Sequence, residues 1–359
     1  MRIDGFLGGL EQAAGTARAA QDVGYDGVWA TEVNQDPFLP LSLAAAATST
    51  IQIGTSIAVA LSRSPMSLAY TAHDLARFSG GRLVLGLGSQ VRAHVTRRFS
   101  MPWGRPGPQL REFVLAMRAA WSSWADGTPL AFEGEYYQHT LMPPTFVPVP
   151  NPAGPPPVWL AAVGEVMCRV AGEVADGMIC HGFSTPRWLR ERTLPALAEG
   201  RRRAGAQDGF AGFEVVAHPF VVTGTDEEMA AGLAAVRRRI SFYGSTPAYR
   251  AVLDLHGWGE LGTELTALSR QNRWAEMAAL VGDEVVDAFT VVAAPRELAA
   301  RLADRYGGLV TRLSFTPPAS LDRDASHGLI SELRAIPALG AQHDPTRAAA
   351  PEPNPGGAR

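Results

Sequence analysis

PVWLAAVGEVMCRVAGEVADGMIC, residues 157–180, is the stretch from which the rest of the chain can be read. It opens on a short apolar run at 158–162 and turns through the small residues Val163 and Gly164. A helical segment then begins near Glu165, and the stretch closes on a second apolar run at 177–180. Two strands joined through a helix form a parallel βαβ unit. The same alternation recurs along the chain. Further runs rich in Val and Ile cover 2–6, 27–31, 51–59, 82–87, 214–222 and 311–315, so that eight strands are predicted in all. Eight is the strand number of the (β/α)₈ TIM barrel, an α/β fold that fills its interior with side chains and places its sites at the carboxyl ends of the strands.

The segments between the runs have readable ends. Ser64-Pro65 has an N-cap residue followed by Pro at the first helical position, and Gly80-Gly81 closes that helix. Leu110, Phe113, Val114, Met117, Trp121 and Trp124 recur at helical spacing and predict one apolar stripe against the barrel wall. Asp226, Glu227 and Glu228 place negative charge in the first turn of a helix running towards Tyr243, where the helix dipole favours it. Two segments break the alternation. Residues 129–157, rich in Pro and aromatics, predict a hairpin and loop inserted after strand four; residues 245–282, with Trp258 and Trp274, predict an ordered lid near strands seven and eight. One barrel is expected over 1–340, and a disordered tail over 341–359, which ends PEPNPGGAR.

Composition narrows the function. Of 359 residues 46% are hydrophobic and 19% charged, below the roughly 25% of an average soluble domain, which suits a large interior. The net charge of −3 gives no electrostatic reason to expect nucleic acid or an anionic membrane as partner. All 32 basic residues are Arg. Cys168 and Cys180 are too few for a disulfide framework and lack metal-ligand spacing, so no metal is expected. No run approaches the roughly 18 apolar residues of a membrane span, and residues 1–9 lack a signal-peptide core, so a cytoplasmic, soluble protein is expected.

Three turns at predicted strand ends carry the chemistry: Gly54–Val59, Leu85–Gln90 and Leu160–Gly164. In the third, small residues allow close approach to the backbone, and the helix that follows offers unsatisfied N–H groups and partial positive charge to a phosphate. A tight βα turn with no ligand has the same composition, and the spacing is not that of a dinucleotide fingerprint.

The ordered set YDGVWATE (25–32), GTSIAVALSRSPMSLA (54–69), FSGGRLVLGLGSQ (78–90), FEGEYYQ (132–138) and the stretch quoted first resembles the luciferase-like monooxygenase superfamily over roughly residues 1–315. Within it the chain is most similar to the deazaflavin-dependent oxidoreductases, and YGSTPAYR (243–250) and LHGWG (255–259) are shared with a subgroup of undetermined substrate. The resemblance implies a coenzyme F420-dependent oxidoreductase acting on a small-molecule substrate, and a homodimer. It implies a cis peptide at Ser56–Ile57 behind the deazaflavin ring, and cofactor contacts at Gly88, Ser89 and His94. It also implies a phosphate loop at Ala161, Ala162, Val163 and Gly164, a further contact at His181, and an acidic group, Glu32, near the ring. Glu32 and His94 are the candidate catalytic residues.

Departures from the pattern limit what carries over. The sugar-phosphate dehydrogenase of this branch has a proton-carrying His where this chain has Val33 and a Glu where it has Val91. Its substrate-phosphate residues are replaced by His181 and Ser184, which argues against glucose 6-phosphate. An FMN-dependent two-component monooxygenase and a non-catalytic flavin-binding protein are the alternatives on the same barrel. Among other residues, His94 reads more readily as a solvated loop histidine or a simple cofactor contact than as a proton donor, and His218 as a satisfied core or mouth residue. His256 reads as part of the lid, Arg63 and Asp74 as supports, and Cys180 as a small buried apolar residue.

Overall fold

The computed structural model describes residues 1–340; the predicted tail at 341–359 lies outside the described residues. Eight parallel strands close into a ring: β1 (Arg2–Phe6), β2 (Gly27–Ala30), β3 (Gln52–Thr55), β4 (Leu83–Gly88), β5 (Val158–Ala162), β6 (Gly177–Cys180), β7 (Glu214–Ala217) and β8 (Arg312–Ser314). Each pairs with its neighbours in chain order, β3 with β4 and β8 back to β1, and helices surround the ring. This is the (β/α)₈ barrel that the alternation predicted.

The inward-facing positions build the interior in layers. At the amino-terminal end, Arg312 donates from Nε to Asp4 Oδ2 at 2.8 Å and from Nη1 to Gln52 Oε1 at 2.8 Å, with both charged side chains fully buried. Trp29 and Trp159 lie over the guanidinium at 5.4 and 5.3 Å. Above them Val84, Ile179 and Val216 complete an apolar layer, on which Phe6, Ile57 and Ala161 pack. The carboxyl-terminal mouth therefore stands on an apolar floor over a sealed charged plug.

Two predicted strands run too long. The run at 51–59 splits: β3 ends at Thr55, the Ser56–Ile57 peptide is cis, and Ala58–Val59 pairs only with the end of β4. Gly86 permits the close approach there, since a Cβ on it would lie 1.9 Å from the Thr55 carbonyl oxygen. The run at 214–222 also splits. Pro219 has no N–H for the ladder, and Phe220–Val222 leaves the ring to pair in parallel with Thr290–Val292, a strand the sequence did not suggest.

The helices follow the sequence closely. Pro65–Phe78 begins after Ser64, whose side chain, against expectation, makes no capping bond. The stripe from Leu110 to Trp124 is buried on Pro106–Asp126. Asp226–Gly244 is capped by Thr225 and Glu228 in a reciprocal capping box. The insertion after β4 contains the expected hairpin, Phe132–Glu133 against Gln138–His139. The segment at 245–282 is helical, with Arg250–Leu255, Gly259–Arg270 and Trp274–Ala279. Trp258 packs into a second core with Phe289, whereas Trp274 stays half exposed beside Phe242. No helix among the described residues is long and apolar enough to cross a membrane.

Candidate active site

Strand alternation sets which side chains reach the mouth. Ile179 and Val216 face inward, so the residues two positions on, His181 and His218, also face the mouth side. Opposite them β3 ends in the Ser56–Ile57 bend. Ser56 Oγ lies 3.0 Å from His218 Nε2, a contact that crosses from β3 to β7. Ile57 packs onto the apolar floor, and a Cβ on Gly88 would meet its Cδ1 at 2.9 Å, so glycine at this point of β4 leaves room for the Ile57 side chain.

His218 is not the satisfied residue its sequence context suggested. Its Nδ1 is buried without a partner, and burial, with His181 nearby, pushes its pKa down to about 4. Between His218, His181, Ser184, Cys180 and Tyr306 lies a cavity of about 10 Å³, room for roughly one water. His181 Nδ1 accepts from the Phe183 N–H at 2.9 Å. Its ring stacks on Tyr249 with centroids 4.6 Å apart and meets Tyr243 edge-on at 4.6 Å. Burial lowers the His181 pKa to about 4 and raises that of Tyr249 to about 12, so both are neutral near pH 7.

Glu32, next after β2 and Thr31, has a different task from the one its position suggested. Its Oε2 accepts from the Val59 N–H at 2.7 Å and from Arg63 Nη1 at 2.6 Å, with the side chain 7% exposed. Arg63 also donates to the Val59 carbonyl at 3.0 Å and lies over the Phe38 ring. The pair fastens the chain that leaves the bend, and Arg63 is a support, as expected. Asp74 is not one: it is exposed and makes no side-chain hydrogen bond among the described residues.

After β4, Ser89 Oγ donates to the Gln90 carbonyl at 3.1 Å, and Gln90 adopts φ 60°. His94 begins the exposed turn His94–Arg98, with no side-chain partner among the described residues. Arg98 ties this turn to the Val33 carbonyl at 2.6 Å. Val33 is 65% exposed, so no proton carrier stands at the position after Glu32.

After β5, Ala162 is buried, Ala161 and Val163 are half-buried, and Gly164 is exposed as the N-cap of Glu165–Val174. No side chain caps this helix. A Cβ on Gly164 would meet nothing within 4 Å. Unlike the sequence picture, cations are near: Glu165 pairs with Arg169 at 3.8 Å and with Arg192 at 3.5 Å. Arg169, one helical turn on, was readable as an i,i+4 partner, whereas Arg192 comes from the next βα unit and carries no local signal.

His256 belongs to the helical insertion, with Nε2 2.8 Å from Thr185 Oγ1 and its ring stacked on Trp258. A larger cleft of about 240 Å³ opens beside it between Arg187, Arg190, Asp304 and Arg305. Apart from Thr185, its lining comes from the insertion and the outer helices, so it is not the mouth that the strand ends define.

The model of the family described as luciferase-like monooxygenase matches residues 5–312. The uncharacterized protein Rv1360 of Mycobacterium tuberculosis is 48% identical over 315 residues, covering 87% of this chain and 92% of its own. The 5,10-methylenetetrahydromethanopterin reductase of Archaeoglobus fulgidus is 26% identical over 330 residues, covering 90% of this chain and 94% of its own. Among solved structures, the coenzyme F420-dependent tetrahydromethanopterin reductase of Methanopyrus kandleri superposes with a TM-score of 0.74 at 20% identity, covering 94% of this chain and 98% of that one.

Proposed function

The chain belongs to the luciferase-like monooxygenase family, and from that premise we propose that it is a coenzyme F420-dependent oxidoreductase acting on a small organic substrate. The observation that carries this reading is the open start of the helix Glu165–Val174. Gly164 leaves space beside uncapped first-turn amides, next to a strand end of small residues. Such a terminus receives a phosphate through its backbone N–H groups, with Arg169 and Arg192 nearby on Glu165. The relationship to a methylenetetrahydromethanopterin reductase and to a putative coenzyme F420-dependent oxidoreductase supports the deazaflavin, while the fold is shared with F420-dependent and FMN-bound enzymes alike.

The residues present fit a flat, phosphate-bearing cofactor. Ile57, seated over the buried Gly88, offers an apolar surface on which a ring can rest. Ala161, Ala162, Val163 and Gly164 would hold the phosphate, while Ser89 and His94 follow β4, the strand next to it in the ring. When bound, the deazaflavin supplies a hydride donor or acceptor at C5. The protein supplies orientation, an apolar floor that excludes water, a neutral imidazole at His181 and the aromatic side chains of Tyr243 and Tyr249 beside it. Glu32 holds the bend through Val59 and Arg63, so its contribution to the ring's position is indirect.

Binding separates the alternatives. The full chain should bind oxidised F420 at least tenfold more tightly than FMN, about 1.4 kcal/mol, when both are titrated in one buffer. Quenching of deazaflavin fluorescence and equilibrium dialysis both read this. FMN binding equal to or tighter than F420 would replace the proposal by the monooxygenase reading that the family's description carries.

A further inference from the structure

The motif YGSTPAYR at 243–250 has no place yet in the proposed chemistry, although both its tyrosines pack on His181. His181 Nδ1 accepts a backbone N–H, so in the neutral ring the proton sits on Nε2. Among the described residues Nε2 has no acceptor in the chain, and it is not one of the buried unpaired atoms, so it stays reachable. Tyr249 lies nearly parallel to the ring at 26°, and Tyr243 stands across it at 89°. Phe183, Phe289 and Trp258 back this wall in the same apolar core.

Charge is missing from the wall. Among the described residues His181 forms no ion pair with a carboxylate, Arg250 at the end of the motif is engaged by Asp254 and Thr263, and besides the two tyrosines the titratable group coupled to the ring is His218, itself kept neutral by burial. A charged ligand set here would be desolvated without a counter-ion, at a cost of several kcal/mol. A neutral oxygen acceptor on a flat body would instead gain a hydrogen bond and aromatic contact together.

We propose that His181, Tyr243 and Tyr249 form the substrate wall of the mouth, and that it takes an uncharged, planar carbonyl compound whose oxygen accepts from His181 Nε2–H. This rests on the oxidoreductase reading only in placing the substrate at the same mouth. Burial supports the assignment by keeping the imidazole neutral near pH 7, so that it acts as an electrophilic donor rather than as a cation.

The test uses two flat probes that differ in one group: acetophenone, and α-methylstyrene, which carries CH₂ in place of the oxygen. Ligand-observed NMR titrations on the full chain, with and without F420, should show acetophenone at least tenfold tighter. His181→Phe keeps the stacking surface and removes the donor, and should collapse the ratio to about one. His181→Gln restores an N–H donor and should recover part of it. Nitrogen-15 shifts of the imidazole at pH 7 should report the proton on Nε2. No preference in the native chain, a preference that survives in His181→Phe, or a proton on Nδ1 would each overturn the proposal. F420 affinity of the native chain is measured in the same series. A native chain that discriminates between the probes yet binds no F420 would sink the deazaflavin reading and leave this wall standing.

Discussion

Replacing Gly164 by Asp tests the phosphate assignment because the structure lets stability and binding move in opposite directions. Gly164 sits at φ −77° and ψ 152°, an extended conformation open to any residue, and its Cβ would meet no atom. Asp is a favoured N-cap, and it also removes the freedom of glycine from the unfolded chain. Folding should be unchanged or improve by up to about 1 kcal/mol. The same carboxylate would occupy the first-turn amides and stand about 5 Å from a phosphate placed there. At an effective dielectric constant of about 20, two unit charges at that distance repel by about 3 kcal/mol, roughly a hundredfold in affinity. Fluorescence titration with F420 and a thermal melt of the same preparation read both effects. Gly164→Asn, which caps without charge, should weaken binding far less. An Asp variant that melts like the native chain and binds F420 within threefold of it would refute the placement of the phosphate.

Other expectations concern the barrel itself. Arg312→Met leaves Asp4 buried without its partner and should cost about 3–5 kcal/mol in urea unfolding, whereas the double change with Asp4→Leu should recover most of that. A single variant within 1 kcal/mol of the native chain would show that the plug contributes little. His181 and His218 titrate near 4 when folded and near 6.5 when unfolded, so the unfolded chain binds more protons between those values. Their contribution is complete above about pH 6.5 and is lost as pH falls towards 4, about 2 kcal/mol each by pH 5. His218→Phe should flatten that fall in a series of urea midpoints; an unaltered slope would assign the acid sensitivity elsewhere. Glu32→Gln removes the charge that holds Arg63 and should cost about 1–3 kcal/mol of stability. A stability within 0.5 kcal/mol of the native chain would deny Glu32 its fastening role.

Much of the barrel was legible because its signal is local. β1, β5 and β6 end where their apolar runs end, and the stripe from Leu110 to Trp124 is buried as its spacing required. The two strands read too long share one cause: Val- and Ile-rich composition continues past the point where pairing stops. At β7 the stop was visible in Pro219, while at β3 only family resemblance pointed to the bend. Thr290–Val292 was missed because a short run reveals nothing about a partner some seventy residues earlier. Long-range polar pairs are silent for the same reason. Nothing in the sequence joins Asp4 to Arg312 or Glu32 to Arg63, and both pairs became visible only when the ring closed.

The mouth could have been read further than it was. His181 and His218 each stand two residues beyond an inward-facing apolar side chain, and strand alternation alone turns both inward. Their role follows from what the neighbouring strand ends lack. Val33 and Val91 carry no protons, and Glu32 is held by Arg63, so the acidic candidate of the mouth is already engaged. Two histidines kept neutral by burial face that gap, one reaching the bend at Ser56 and the other supported by Tyr249. A neutral donor stabilises charge developing on a substrate oxygen without attracting a charged ground state, so it selects uncharged substrates. Restoring the imidazole with Val33→His would therefore not recreate the dehydrogenase-like acid/base pair. With Val33 exposed and its carbonyl tied to Arg98, a new imidazole there would face water rather than the wall of His181.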